Sequence, residues 1–181
     1  MSAALSYSPV SPERPRRAPG RHATLSLAEL TTLVGSVCAD PTFWQPRLQI
    51  PDGGEERWWT RLSTNRRVDV WLLSWLPGHT TELHDHGTSA AAFSVVRGSL
   101  VEVRAEREGH RTAYARQPGW VTWLAPGVIH DVSGAGDGPA VSIHAYSPPL
   151  RQMNYYDADD RGELHIVRSV RTDQPEQELS R

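Results

Sequence analysis

The sequence predicts a mainly β domain, either a sandwich or a closed barrel, with one short helix before it. From Trp58 onward, short runs that are apolar, or that alternate between apolar and polar residues, recur at close spacing. Turn-forming pairs such as Pro77-Gly78, Pro118-Gly119 and Pro126-Gly127 separate these runs. Many short strands divided by Gly and Pro turns are typical of sandwiches and barrels, and the sequence lacks the strand–helix alternation of a parallel sheet.

Length, charge and cysteine content exclude several classes of protein. The chain has 181 residues and a formal net charge of -2, which suits one domain and gives no electrostatic reason to expect nucleic acid or an anionic membrane as partner. Its single cysteine, Cys38, excludes an intrachain disulfide. The N-terminus has no apolar leader core, and no apolar run approaches the length of a membrane span. We therefore expect a cytoplasmic monomer without nucleic-acid or membrane partners.

The two ends of the sequence differ from its middle. Residues 1–22 are rich in Pro, Arg and Ser, which predicts a disordered N-terminal tail. Residues 170–181 are equally hydrophilic and predict a flexible C-terminal tail. The folded domain is therefore expected over residues 23–169.

The first predicted element is a helix in "SLAELTTLVGSVC". Ser26 and Glu29 have the spacing of a capping box, in which each side chain hydrogen-bonds to the backbone N–H of the other residue. Apolar residues then recur at roughly helical period: Leu27, Leu30, Leu33 and Val37. Cys38 lies at the end of this helix and is expected to be a buried or half-buried thiol.

The predicted strands follow, in the runs "VDVWLLSWL", "AAFSVVRG", "SLVEVRAE", "RTAYAR", "WVTWLA", "AVSIHAY" and "ELHIVR". Between the first two lies "ELHDHG", in which His84 and His86 flank Asp85. Alternate residues of a strand share a face, so the two histidines point the same way and Asp85 points the other way. Two imidazoles on one face, joined by a third from another strand, can form a facial metal site.

A second segment, "GWVTWLAPGVIH", runs from Gly119 to His130. Its Pro126-Gly127 pair predicts a turn, after which His130 begins the next strand. Together the two segments resemble the paired motifs of the cupin superfamily, G-x5-H-x-H-x3,4-E-x6-G and G-x5-P-x-G-x2-H-x3-N. The resemblance implies a cupin double-stranded β-helix, a jelly-roll barrel, with His130 as the third metal ligand beside His84 and His86.

Two positions depart from the cupin pattern, because its glutamate falls on Ala91 and its asparagine on Gly134. The implied ligand set is then three neutral histidines without a carboxylate. A cupin of this kind resembles the thiol dioxygenases, and the cysteine dioxygenase family in particular. Four stretches carry the resemblance: "WWTR", "HDHGTS", "PGVIH" and "SIHAYSPP".

This resemblance implies an enzyme with Fe(2+) as cofactor and with L-cysteine and O2 as substrates. Both atoms of O2 would be added to the cysteine sulfur, giving cysteine sulfinate. Three imidazoles leave the charge of Fe(II) uncompensated, and such a site suits an anionic thiolate. Open coordination positions are needed for the substrates, and the missing glutamate leaves them available.

The resemblance also implies roles for residues around the metal. Ser142, His144 and Tyr146 would form a hydrogen-bonded chain beside the iron. Arg61 matches the arginine that binds the substrate carboxylate, and Trp59 stands where the better-known members carry a tyrosine. Animal enzymes of the family crosslink the tyrosine to a cysteine. That cysteine position falls on Ala91, so we expect Tyr146 to be unmodified.

Three alternatives stay open. A 3-mercaptopropionate dioxygenase typically carries glutamine where this chain has Arg61, and a Trp-Gly pair soon after the His-x-His, where this chain has "GTSAAA". A non-catalytic cupin would bind a metal structurally or sense a small ligand. A cupin isomerase or a zinc hydrolase is the third, since three histidines also suit Zn²⁺.

Overall fold

The computed structural model of the protein describes residues 24–54 and 57–175. Its strands make two antiparallel sheets. In chain order the strands are Trp58–Thr64 (β1), Asp69–Trp75 (β2), His84–Asp85 (β3), Ala90–Arg97 (β4), Ser99–Ala105 (β5), Arg111–Arg116 (β6), Val121–Leu124 (β7), Ile129–Ala135 (β8), Ala140–Ser147 (β9), Met153–Ala158 (β10) and Leu164–Val170 (β11).

The helical part precedes the strands. Helix α1 spans Leu27–Cys38, a short helix α2 spans Pro41–Trp44, and a 3₁₀ turn follows at Gln45–Arg47. The predicted capping box is present, because the Ser26 hydroxyl accepts from the Glu29 backbone N–H and the Glu29 carboxylate accepts from the Ser26 backbone N–H. A cap of this kind stabilises a helix by about 0.5–2 kcal/mol.

The order of strands determines which residues can meet inside the molecule. One sheet has the order β1-β2-β9-β4-β7, and the other has the order β11-β10-β3-β8-β5-β6. Strands that follow each other in sequence are often in different sheets, as β4 and β5 are. This arrangement is the double-stranded β-helix, so the predicted fold class, a mainly β cupin barrel with a short N-terminal helix, is confirmed.

The sheet that contains β2 is covered on both faces, by α1 on one side and by the barrel interior on the other. All seven residues of β2 are buried. Val70 and Leu72 pack in the cluster that includes α1, while Trp71, Leu73 and Trp75 pack in the cluster between the sheets. A strand covered on both faces reads as a continuous apolar run.

Gly98 makes the sharp turn that carries the chain from β4 in one sheet to β5 in the other. Its φ is +70°, which favours glycine. A Cβ atom at this position would lie 2.8 Å from both the Cα of Ala140 and the carbonyl oxygen of Pro139. The backbone therefore approaches too closely for any side chain, which explains the glycine that ends the first motif.

Gly134 has a different reason for being glycine. A Cβ atom there would lie 2.5 Å from the carbonyl oxygen of Leu76. An asparagine, as in the general cupin pattern, would collide with this backbone, so the second departure from the pattern follows from close packing of β8 on the residues after β2.

The structure describes the two ends of the chain only in part. The predicted N-terminal tail, residues 1–22, lies outside the described residues. Strand β11 ends at Val170, and residues 171–175 continue with a hydrogen bond from the Thr172 N–H to the Arg151 carbonyl. Among the helices that the structure describes, none has the length and apolarity needed to cross a membrane.

Candidate metal centre and its surroundings

The shortest strand positions the histidines. Strand β3 lies between β10 and β8, and its His84 is the direct cross-strand partner of His130 on β8. His86 follows one residue after β3 ends. Directly opposed residues of an antiparallel pair have their side chains on the same face, about 4.5–5.5 Å apart. Register alone therefore brings His84 and His130 together inside the barrel.

The three imidazoles converge on one point. All three residues are buried, and their candidate ligand atoms lie within 4.8 Å of one another. The Nε2 atoms of His84 and His86 are 3.2 Å apart. Ring centroids are separated by 4.6 Å for His84 and His130 and by 5.1 Å for His86 and His130. Three imidazole nitrogens at this spacing can bind one transition-metal ion on a single face.

Hydrogen bonds to the other ring nitrogens fix the tautomers of two histidines. Nδ1 of His84 lies 2.8 Å from the carbonyl oxygen of Glu82, and Nδ1 of His130 lies 3.0 Å from Oε1 of Glu102. A carbonyl and a carboxylate accept only, so Nδ1 carries the proton in both rings. The lone pair is then on Nε2, the atom that faces the convergence point.

Glu102 is a fully buried carboxylate behind His130. Arg104 Nε donates to Oε1 at 3.2 Å, and Arg116 Nε donates to Oε2 at 2.9 Å, with a further contact from Arg116 Nη2. Burial raises the pKa of this carboxyl, but the hydrogen bonds from His130 and Arg116 and the charge of Arg104 outweigh it and lower the pKa to about 2. The carboxylate is therefore ionised at neutral pH.

The inner face of the sheet opposite β3 carries the other predicted residues. Register across β1, β2, β9 and β4 arranges their side chains in three rows. The rows are Trp59, Leu73, Ser142 and Val95; Arg61, Trp71, His144 and Phe93; and Thr64, Asp69, Tyr146 and Ala91.

Ser142 and His144 are hydrogen-bonded, as the sequence predicts. Ser142 Oγ lies 2.9 Å from His144 Nε2 and also accepts from Trp75 Nε1 at 2.9 Å. Because the indole N–H can only donate, the serine proton is available to His144 Nε2, which places the proton of a neutral His144 on Nδ1. Phe93 stacks on His144 at 4.9 Å and holds the ring in its plane.

Tyr146 is the member of this group that reaches the histidine cluster. Its ring centroid lies 4.9 Å from that of His86, and its side chain is buried. Ala91 is its direct cross-strand partner on β4. Cys38, in contrast, packs with the cluster on the other face of this sheet, so it lies away from Tyr146.

Arg61 stands two strands away from His144 and has partners that the sequence does not reveal. Its guanidinium lies over the Trp71 ring at 4.3 Å, and Trp59 packs edge-on against the same ring. Its Nη2 donates to the backbone carbonyl of Asp173 and, at 3.1 Å, to Oδ2 of the same residue. Its Nε is buried and has no hydrogen-bond partner in the described parts of the chain. The C-terminal segment thus supplies an anion to the arginine that is predicted to bind the substrate.

Asp69 is a second buried carboxyl, at the end of the third row beside Tyr146. Burial raises its pKa to about 6, although Trp71 and the charge of Arg61 act in the other direction. Its Oδ1 has no hydrogen-bond partner among the described residues. An acid with such surroundings titrates near neutrality.

Histidines outside the motifs are expected to be exposed or structural. His79 is buried, accepts from the Leu76 N–H, and contacts the Gly54 carbonyl, which is a structural role. Asp85 points away from its histidine neighbours, as predicted, and accepts from Tyr156 and Asn154. The exposed His165 lies 3.1 Å from Asp159.

Sequence reasoning missed Glu102, Asp69 and Trp75. Glu102 did leave a signal, because in "SLVEVRAE" it shares a strand face with the buried Leu100, where an apolar residue is expected. Asp69 shares a face with Trp71 in the same way. Trp75 reads as an ordinary core residue, since its hydrogen bond to Ser142 depends on pairing between β2 and β9.

The closed barrel with three converging interior histidines defines a cupin with a candidate metal centre. The family profile described as "Cysteine dioxygenase type I" matches residues 20–117. This span includes Arg61, His84 and His86, while His130 and the Ser142–Tyr146 run lie beyond it. The chain therefore belongs to the cysteine dioxygenase type I family, and it is a thiol dioxygenase.

Individual relatives are distant. "Cysteine dioxygenase type 1" of Danio rerio is 23% identical over 74% of this chain and 71% of its own length. The Rattus norvegicus protein of the same name is 26% identical over 51% of each chain. A solved structure of a Klebsiella pneumoniae protein with a double-stranded beta-helix domain covers 57% of this chain at 17% identity and a TM-score of 0.48.

The raised pKa of Asp69 predicts a pH-dependent cost to stability. The folded pKa is about 6, whereas the ordinary value for an aspartate is 3.8, so the folded state holds the proton more tightly. The free energy of unfolding therefore falls as the pH rises from about 4 to 6, by about 3 kcal/mol for a shift of this size. Asp69→Asn should raise the melting temperature more at pH 7.5 than at pH 4, measured calorimetrically. Asp137→Asn, at an exposed turn, is the control, and an equal effect of Asp69→Asn at both pH values would contradict the prediction.

Proposed function

We propose that this chain is a non-haem Fe(II) enzyme that adds both atoms of O2 to the sulfur of L-cysteine, giving cysteine sulfinate. The observation that carries the proposal is the set of three buried histidines, converging through Nε2 beside Tyr146, with Ala91 where a carboxylate ligand would stand. His84, His86 and His130 are the proposed ligands. A cytoplasmic location and a monomeric state stay predictions.

The donor set fits a divalent first-row metal. Neutral imidazoles with their second nitrogen hydrogen-bonded to an acceptor are the usual histidine ligands of iron, zinc and copper. Fe(II), when bound, supplies the open coordination positions and the redox chemistry that join a thiolate with O2. The choice of iron over zinc rests on family membership, since three histidines alone suit both metals.

The remaining roles belong to residues on the facing sheet. Arg61 would bind the substrate carboxylate, with its unpartnered Nε as one donor and Nη2, now on Asp173, as the other. Tyr146 would donate a hydrogen bond to the substrate, with His144 and Ser142 orienting it. Trp59 and Trp71 would hold the guanidinium plane and exclude water.

The arginine favours cysteine over thiols that lack a carboxylate. 3-Mercaptopropionate also carries a carboxylate, so Arg61 alone does not separate these two substrates. Cysteine differs from it by the amine.

The first test is oxygen uptake by iron-loaded protein with L-cysteine, 3-mercaptopropionate and cysteamine in parallel. We expect uptake to be fastest with L-cysteine, with one O2 consumed for each sulfinate formed. His130→Ala should lose both iron and activity, whereas His110→Ala, at an exposed loop, should keep both. Full iron stoichiometry in His130→Ala would overturn the ligand assignment.

Arg61 and Asp173 should have opposite effects on substrate binding. Removing a charge-assisted contact to the carboxylate costs about 1.5–3 kcal/mol, so Arg61→Ala should raise KM for L-cysteine far more than for cysteamine. Asp173→Asn removes a competing anion at a partly exposed ion pair, which is worth about 0.2–1 kcal/mol, and should lower KM for L-cysteine up to about fivefold. Arg66→Ala, in the turn after β1, is the control. An unchanged or higher KM in Asp173→Asn would show that Asp173 does not compete with the substrate.

Tyr146→Phe should separate binding from turnover. The variant should keep iron and bind the thiol, because neither requires the hydroxyl. A group that donates a proton or hydrogen bond in the reaction typically contributes about 10²–10⁴-fold, so kcat, or the sulfinate formed per O2 consumed, should fall strongly. Steady-state kinetics with product analysis measure both quantities. Unchanged turnover and coupling would remove Tyr146 from the mechanism.

A further inference from the structure

The carboxylate of Glu102 contacts His130, one of the three histidines of the cluster. The side chain has no solvent exposure, and it lies on β5, the strand that pairs with β8. It accepts from Nδ1 of His130 at 3.0 Å on one oxygen, and from Arg116 on the other. Apolar side chains of similar volume usually stabilise a protein interior at least as well as a buried ion pair does, so packing alone gives no reason for this network.

The two histidines of the β3–β8 pair are held by acceptors of different charge. His84 donates to the neutral backbone carbonyl of Glu82, and His130 donates to an anion. A hydrogen bond to a carboxylate raises the basicity of the imidazole more than one to a carbonyl, and it fixes both the tautomer and the orientation of the ring. His130 is therefore the more basic of the two imidazoles and the stronger candidate ligand through Nε2.

We propose that Glu102 is a positioning residue that holds His130 in the Nδ1–H tautomer. Through its hydrogen bond to this ligand it supplies the carboxylate that the ligand set lacks at Ala91. This proposal rests on the proposed metal centre. The carboxylate then strengthens one ligand without occupying a coordination position that the substrates need.

The two arginines keep the carboxylate in place. Arg104 comes from β5 itself and also donates to the Trp123 carbonyl, and Arg116 comes from β6, the next strand. Oε1 is thus held by Arg104 as well as by His130, and Oε2 is held by Arg116, so the carboxylate cannot turn away from His130.

Glu102→Gln tests the charge, because the amide oxygen still accepts from Nδ1. Binding of Co(II) and of Fe(II) to the apoprotein, followed by calorimetry and by the visible absorption of cobalt, should weaken about 10- to 100-fold. Glu82→Gln is the matched control, since its exposed side chain bonds Arg168 while its backbone carbonyl still holds His84. Its metal affinity should equal that of the wild type.

The stability of the apoproteins separates positioning from a purely structural ion pair. If Glu102→Gln unfolds at lower urea concentration but keeps its affinity for metal, the network only joins the strands, and the proposal is wrong. If the wild type itself binds neither ion, the proposed function fails instead.

A measurement on the wild-type apoprotein needs no variant. Long-range ¹H–¹⁵N spectra report which ring nitrogen of His130 carries the proton. The Nδ1–H form should dominate in the wild type, and in Glu102→Gln the Nε2–H form should become more populated, because an amide can also turn its N–H toward Nδ1. A wild-type His130 in the Nε2–H form would overturn the proposal.

Discussion

The site depends on one constraint, the pairing of β3 with strands on both of its sides. This strand has only two residues, yet it brings His84 opposite His130 on one side and opposite Tyr155 on the other. A shift of one residue would turn His84 away from the interior and bring Asp85 into its place. Asp85 is bound on the opposite face by Tyr156, Asn154 and the Gly87 N–H, so this register is fixed from outside the barrel as well as from within.

The interior of the closed barrel excludes water, so each buried charge there needs a group of opposite charge nearby. Glu102 is compensated by two arginines that enter from the edge of the barrel. Asp69 has weaker compensation from Arg61, which divides its charge between Asp69 and the C-terminal segment. The pKa values of the two carboxyls accordingly shift in opposite directions. That of Glu102 is lowered to about 2, and that of Asp69 is raised to about 6. Electrostatic asymmetry of this kind is typical of functional sites.

The sequence was sufficient to predict the fold, and local signals placed several residues of the proposed site on common strand faces, while His130 and Arg61 were assigned through the resemblance to known motifs. The period of two places His84 with His86 and Ser142 with His144 and Tyr146, and the turn residues delimit the strands. What could not be predicted depends on pairing between distant strands. Trp75 meets Ser142, and Glu102 meets His130, only through the register of β2 with β9 and of β5 with β8. The contact of Arg61 with Asp173 joins residues that are 112 positions apart, and no spacing rule indicates it.

Ala91 opposite Tyr146 has a consequence for the chemical homogeneity of the protein. The chain has one thiol, on α1, and the sheet lies between this thiol and the phenol ring. In this fold Cys38 therefore cannot form a thioether with Tyr146, and we expect the phenol to be the same in every folded molecule. A preparation of the protein should then be covalently uniform at this position, so that a spectrum is expected to report on one form of Tyr146. The small side chain of Ala91 is thus expected to leave an interior that needs no covalent step after the polypeptide has folded.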